Sequence, residues 1–121
     1  LNREALVKYQ WIISDAVSHH KNDIREGLSI TWYESCSKKR ESNYKNGRLD
    51  GLKNRWHESG EKQGEYFFKN RERVSETTFY KSGIKKMTKH FKDGILNALM
   101  TEWSEDGKKT FQGNFVDGNE E

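Results

Sequence analysis

The sequence predicts an all-β protein, built as an elongated single-layer antiparallel meander of repeated β-hairpins. Three observations predict this fold class: aromatic residues recur at a nearly constant interval, turn residues recur with them, and only 31% of the 121 residues are hydrophobic. An ordinary globular domain is roughly 45–50% apolar with Gly counted, so a thick two-layer core is not expected here. The aromatic content of 12% argues against disorder.

The repeat is carried by two rows of rings. A first ring recurs at spacings of 24, 23 and 24 residues, at Trp32, Trp56, Phe79 and Trp103. Twelve residues after each comes a second ring, at Tyr44, Phe68, Phe91 and Phe115. Self-similarity at such a period is typical of repeat architectures. We therefore expect an array of about four units of 23–24 residues over residues 27–121.

Each unit also carries two turn motifs, because Asn-Gly and Asp-Gly pairs favour turns that need positive φ. The predicted turns fall at residues 34–37, 45–48, 58–61, 69–73, 81–84, 92–95, 105–108 and 116–119. Cys36 and Arg71 replace turn glycines, and Ala98 replaces the glycine that precedes a leucine in other units. The second unit is one residue short, so its turn at Arg71 is expected to be wider or distorted.

Counting alternate residues along the chain assigns the two faces of the sheet. The count predicts one aromatic-rich face that holds both rows of rings together with residues such as Leu28 and Leu52. The other face is predicted to be polar, with Tyr33, Phe67 and Tyr80 among charges. Covering the rings of a single layer requires long charged stems, curling of the sheet, or a partner.

The N-terminal segment, residues 1–26, allows two interpretations. It reads as a degenerate first repeat, since His20–Gly27 matches Tyr44–Gly51 in pattern with the turn glycine missing. The alternative is a short capping helix, because Leu6, Tyr9 and Ile13 also fit a helical stripe.

The MORN repeat, in its bacterial variant form, is the family that this unit resembles. The matching residues are Tyr44-Lys45-Asn46-Gly47-Arg48-Leu49-Asp50-Gly51-Leu52 and Trp56-His57-Glu58-Ser59-Gly60. The resemblance extends from Gly27 to Gly118. It implies an elongated, twisted antiparallel sheet that acts as a scaffold for protein or lipid contacts. It also implies relatives described as antitoxin-like, and others in which the repeats precede a catalytic domain.

The residues themselves indicate binding rather than catalysis. No phosphate-cradling glycine loop, zinc-protease motif or nucleophile elbow occurs, so we expect no enzyme, no cofactor and no metal site. The partner-binding residues predicted from the polar face are Tyr33, His57, Phe67, Tyr80 and His90. The function predicted is that of a non-catalytic scaffold for a macromolecule, foremost a protein, in an antitoxin-like or immunity-like role.

Two alternatives remain open at this stage. One is a module for anionic membrane lipid that uses Lys45, Lys69 and Lys92, and the other is an accessory array of a longer enzyme. A nucleic-acid partner is not expected, because the net charge is only +3 and the basic residues are interspersed with acidic ones.

The sequence says little about localisation. It contains no apolar run of membrane-spanning length and no signal-like segment, so we expect a soluble protein. The first residue is Leu1 rather than Met, so a processed or trimmed N-terminus is expected. The compartment and the oligomeric state are left open.

Overall fold

The protein is one open antiparallel sheet of consecutive hairpins, seen in a computed structural model that describes residues 16–21 and 24–121. The strands are β1 Ala16–Lys21, β2 Ile24–Trp32, β3 Lys38–Lys45, β4 Arg48–Trp56, β5 Lys62–Lys69, β6 Glu72–Phe79, β7 Lys85–Lys92, β8 Ile95–Leu96, β9 Ala98–Trp103, β10 Lys109–Val116 and β11 Asn119–Glu120. Neighbours in sequence are neighbours in the sheet, except that β8 and β9 both pair with β7. The described residues contain no helix, so the all-β meander is confirmed.

All eight predicted turns are found, and they are of two kinds that alternate along the chain. Two-residue turns with positive φ at both positions, the type I′ pattern, join the strands at Asn46-Gly47, Asn70-Arg71, Asp93-Gly94 and Asp117-Gly118. Longer loops occupy residues 33–37, 57–61, 80–84 and 104–108. In the loop after Trp56, the Gly60 N–H donates to the His57 carbonyl at 2.9 Å. Because successive strands are antiparallel, the two kinds of turn lie at opposite edges, called here the tight-turn edge and the loop edge.

The turn at Arg71 is neither wider nor distorted, so that prediction is wrong. Asn70 and Arg71 have φ of 50° and 74°, close to the 52° and 77° of Asn46 and Gly47. Instead, the bulge that follows the turn is one residue shorter in this unit. Between β3 and β4 the pairing register shifts by two residues, whereas between β5 and β6 it shifts by one, at Val74. A bulge absorbs a deletion more easily than a two-residue turn, which has no residue to spare.

The predicted single aromatic-rich face is also wrong, because the two rows of rings lie on opposite faces. Glu41 pairs with Ile30, which lies on the same face as Trp32 two residues further along β2. Tyr44 pairs with Gly27, which lies on the opposite face of β2. The register also shifts between Thr31 and Trp32, beside the loop that joins β2 to β3. Cross-strand partners share a face. Trp32 and Lys38 are six residues apart, an even number, whereas Thr31 and Arg40 are nine apart, so the extra residue Lys39 in this bulge exchanges the faces for the rest of β3.

We name the faces by their rings. The Trp face carries the first rings and the residues that alternate with them, at Leu28, Ile30, Trp32, Leu52, Asn54, Trp56, Glu65, Phe67, Ser75, Thr77, Phe79, His90, Leu99 and Trp103. The Tyr face carries the second rings and their partners, at Ser29, Thr31, Arg40, Ser42, Tyr44, Lys53, Arg55, Tyr66, Phe68, Glu76, Met87, Phe91, Phe111 and Phe115.

The core is thin, as the composition predicts. Among the described residues Phe68 is the one buried hydrophobic side chain, at 8% exposure. The Arg73 guanidinium covers it, at 5.9 Å from the ring centroid, and lies 5.5 Å from the ring of Tyr66. Of the three ways to cover the rings, charged stems are therefore the one seen around Phe68.

The N-terminal strand repeats the pairing of the first complete unit. Ser18 pairs with Ser29, and His20 with Arg25, which is the register of Ser42 with Lys53 and Tyr44 with Leu49 displaced by 24 residues. This agrees with a degenerate repeat and leaves no helix within residues 16–21. The remainder of the capping-helix alternative, residues 1–15, lies outside the described residues, and the division at residue 26 stays a prediction.

Candidate functional site

The five residues predicted to contact a partner do not form one patch. Phe67 and His90 lie on the Trp face, where each pairs with Ser75 from opposite sides. Tyr80 instead lines a cleft with Met87 and Glu102, which belong to the Tyr face. The predicted residues are divided between the faces because the alternation used to assign them does not hold across the register shifts.

Two of the predicted contact residues serve the fold itself. The Tyr33 hydroxyl donates to the carbonyl oxygen of Trp56 at 2.7 Å, and the Tyr80 hydroxyl donates to that of Trp103 at 2.8 Å. Each bond reaches from one unit to the next along the loop edge. His57 takes the same position in the unit between them, where its backbone N–H donates to the Glu61 carbonyl. Tyr33 and Tyr80 are therefore links between repeats.

Exposed apolar side chains form a row on the Trp face, beside the tight-turn edge. Leu52 and Phe67 pair directly across β4 and β5 and are 48% and 41% exposed. Leu28 and Leu99 take the equivalent positions in other units and are exposed as well. We call these four residues together with His90 the leucine row. Asn43 interrupts the row between Leu28 and Leu52, and Ser75 interrupts it between Phe67 and His90. Exposed apolar side chains on a face without a covering layer are typical of a contact surface.

A second row on the Trp face runs along the loop edge and alternates rings with lysines. Each first ring has a lysine directly opposite it across the hairpin, in the pairs Trp32–Lys38, Trp56–Lys62, Phe79–Lys85 and Trp103–Lys109. Lys38 and Lys62 approach the Trp56 ring to 5.3 and 5.8 Å. We call these eight residues the ring–lysine row. The sequence interpretation missed it, although a lysine six residues after every first ring is visible at the repeat period.

The charge of the ring–lysine row is uneven. Lys38 and Lys62 form ion pairs with Glu41 and Glu65, three residues further along. Thr88 and Gln112 stand at the corresponding positions after Lys85 and Lys109, which are exposed. Uncompensated positive charge therefore concentrates in the last two units. The three lysines considered earlier for a membrane, Lys45, Lys69 and Lys92, lie at the tight-turn edge and away from the Trp rings.

Hydroxyl groups in the loops lower the pKa of two carboxylates. The Ser59 hydroxyl donates to Glu61 and holds the pKa of that carboxyl below its usual value. In the last loop the Ser104 hydroxyl and the Lys108 N–H donate to Asp106, and they lower the pKa of Asp106 in the same way. Both carboxylates are exposed, and hydrogen bonds to the charged form account for the direction.

Comparison with known proteins identifies no family for this chain. No model of a protein family matches the sequence, and no curated protein matches it either. Within the described residues, no three His, Cys, Asp or Glu side chains come together as a metal site would require. In the same part of the chain, no helix is long and apolar enough to cross a membrane.

Proposed function

We propose that this protein is a non-catalytic, MORN-like repeat scaffold that binds a protein partner through its Trp face. The leucine row carries the proposal, because Leu28, Leu52, Phe67 and Leu99 are each 37% exposed or more on a single face. Repeat sheets offer extended surfaces of this kind, and interfaces are enriched in large apolar side chains at their centre. The turns, which recur at the predicted positions, support the resemblance on which the scaffold part of the proposal rests.

The site differs from the one expected from sequence. Phe67 and His90 remain contact residues, whereas Tyr33, His57 and Tyr80 are replaced by the exposed leucines. A surface centred on Leu52 and Phe67 places two adjacent apolar side chains on β4 and β5, near the middle of the strand order. A partner bound there can exclude water from both side chains. The lysines of the neighbouring ring–lysine row, with the ion-pair partners Glu41 and Glu65, then form its polar rim.

The experiment compares the wild-type chain with a Leu52→Ser/Phe67→Ser double variant. A partner that the immobilised wild-type chain retains from a native extract is purified, and its Kd is measured for each variant. We expect the double variant to bind at least about tenfold more weakly, since two buried apolar contacts are lost. Leu96→Ser is the matched control, because Leu96 pairs with Phe91 and therefore lies on the Tyr face, away from the leucine row. An unchanged Kd for the double variant, with the fold intact by circular dichroism, contradicts the proposal.

The ring–lysine row favours a second candidate, an anionic membrane surface. Trp and Lys side by side suit the boundary between headgroups and acyl chains, and each basic residue contributes about 1 kcal/mol near an anionic surface. Only Lys85 and Lys109 lack a neighbouring glutamate, so the expected affinity is low. Salt-dependent sedimentation with phosphatidylserine vesicles that is abolished by Lys85→Glu/Lys109→Glu, in a chain that binds no protein, favours this candidate over the first.

A further inference from the structure

A small cleft of about 90 Å³ opens on the Tyr face across β2, β3 and β4. Its lining combines three cations with four hydroxyl groups, from Arg25, Arg40, Lys53, Ser29, Thr31, Ser42 and Tyr44. The cleft is separate from the leucine row, because it lies on the opposite face of the sheet.

The cations of the cleft are crowded. Arg40 lies directly opposite Arg55 in the pairing of β3 with β4, and Lys53 is two residues from Arg55 on the same face. Like charges in such positions repel one another and destabilise the sheet. Among the described residues, no ion pair involves Arg40, Lys53 or Arg55. Burial, together with the charges of Arg40, Arg55 and Arg73, holds the pKa of Lys53 below its usual value.

The hydroxyl groups are buried at the floor of the cleft. Ser29 and Ser42 face each other across β2 and β3 and are 8% and 4% exposed. The Oγ1 atom of Thr31 is buried and has no hydrogen-bond partner among the described residues. Buried polar atoms in native structures are nearly always paired, and an acceptor bound in the cleft would satisfy this hydroxyl.

Arg25 is held in place at the end of the cleft. Its guanidinium lies 4.8 Å from the centre of the Tyr44 ring, and its Nη1 atom donates to the Tyr44 hydroxyl at 3.0 Å. A guanidinium carries five N–H donors, so this contact orients the group and leaves most of its donors available. An oriented guanidinium loses less entropy when it binds an oxyanion.

We propose that this cleft binds a phosphate group. Arginine forks match the oxygens of both carboxylates and phosphates. A carboxylate has only two oxygens, which one guanidinium can satisfy, whereas the tetrahedral phosphate offers further acceptors for the Thr31 and Ser42 hydroxyls. Two negative charges also neutralise the crowding of Arg40, Arg55 and Lys53 better than one. The bound group removes the repulsion between the strands and supplies the acceptor that Thr31 lacks.

The test measures binding of inorganic phosphate to the full chain by titration calorimetry, at constant ionic strength with chloride as the balancing anion. We expect saturable binding and a raised Tm. Arg40→Gln and Lys53→Gln should each weaken phosphate binding by about tenfold or more, because each removes a charge-assisted contact. Arg48→Gln is the matched control, since Arg48 lies at the tight-turn edge outside the cleft, and its phosphate affinity should stay unchanged.

A second measurement separates lost binding from lost structure. Without phosphate, Lys53→Gln should have a Tm equal to or above that of the wild type, since it relieves repulsion, yet phosphate should no longer raise it. A Tm that chloride raises as much as phosphate does, or an equal loss of affinity in Arg48→Gln, overturns the proposal.

Two further ligands distinguish the source of the phosphate group. Glycerol 3-phosphate that binds more tightly than inorganic phosphate assigns the cleft to a small organic phosphate. Vesicles with phosphatidic acid that compete with inorganic phosphate, where phosphatidylserine vesicles do not, assign it to a lipid headgroup. Retention on vesicles of both compositions without any binding of free phosphate reflects surface charge alone and contradicts the proposal.

Discussion

Three side chains adopt a backbone conformation that other units give to glycine. Cys36, Arg71 and Ala98 have φ of 71°, 74° and 69°, and the equivalent Gly60, Gly47 and Gly51 are also positive. The left-handed region costs a residue with a Cβ atom roughly 1–2 kcal/mol relative to the usual conformation. These positions show that hydrogen bonding across each hairpin outweighs the local preference of the residue at its turn.

Replacing Arg71 by glycine should therefore stabilise the protein. We expect Arg71→Gly to raise the free energy of unfolding by about 0.5–1 kcal/mol, the strain relieved less the extra entropy of an unfolded glycine. Urea denaturation followed by tryptophan fluorescence measures the change. Glu72→Gly, one residue further along in β6, is the control and should destabilise, because Glu72 has no positive φ to relieve. A destabilised Arg71→Gly would contradict the assignment of strain to the turn.

At the level of elements, hydrogen bonds join neighbouring loops in addition to neighbouring strands. Tyr33 and Tyr80 each bond to the carbonyl of the next first ring, 23 residues later. His57 and Ser104 occupy the same position in the second and fourth units, so these bonds join alternate pairs of units. Backbone pairing runs through the whole sheet, and the tyrosine bonds reinforce it at the loop edge.

Removing one of these hydroxyls tests the link. Tyr33→Phe and Tyr80→Phe should each lower the free energy of unfolding by about 0.5–1.5 kcal/mol, the net value of a typical intramolecular hydrogen bond. Tyr66→Phe serves as the control, because the Tyr66 hydroxyl forms no hydrogen bond among the described residues. Urea midpoints of the three variants provide the comparison. Equal midpoints for all three would show that the bonds contribute nothing to stability.

At the scale of the whole molecule, stability is distributed along the sheet, because the described residues form no central core. Phe68 is the only described hydrophobic side chain that is buried. In such an array each unit is stabilised mainly by its two neighbours. The one close ring–ring contact among the described residues is that of Phe111 with Phe115, whereas several rings lie against cations. The sheet is therefore held by alternating rings and charged stems, and its ends should be weaker than its middle.

Truncation of the first rings tests this distribution. Trp56→Ala should cost about 2–3 kcal/mol, less than the roughly 3–5 kcal/mol of a fully buried ring, because Trp56 is only half-buried. Trp103→Ala should cost less, since only β10 and β11 lie beyond β9. Denaturant midpoints at equal m-value decide between the two. A larger loss for Trp103 than for Trp56 would contradict stabilisation by neighbouring units.

The two faces of the sheet carry different chemistry. The Trp face presents an exposed apolar row, to which we assign the protein partner. The Tyr face presents the cationic cleft, to which we assign a phosphate group. A sheet of one layer leaves both sides open to ligands, so one thin domain can hold two independent sites without a pocket between layers.

The sequence by itself determined the period, the class of fold and the positions of the eight turns between residues 34 and 119. These features depend on local chemistry, namely glycine, asparagine and aspartate where φ must be positive, and rings at a constant interval. The strand order follows from the same information, because short turns leave each strand next to its predecessor.

The tertiary structure alone decided which side chains share a face. The register shifts beside the loop after Trp32 and in the bulge at Gly51 alter the count of alternate residues, and no local preference reveals such a shift. Tyr44 and Trp32 therefore lie on opposite faces, and Tyr33 and Tyr80 link neighbouring repeats. The juxtaposition of Arg40 with Arg55 is likewise invisible in sequence, because residues 15 positions apart meet only through the pairing register. A site on a sheet is assembled across strands, and register is the property that pairing in three dimensions sets.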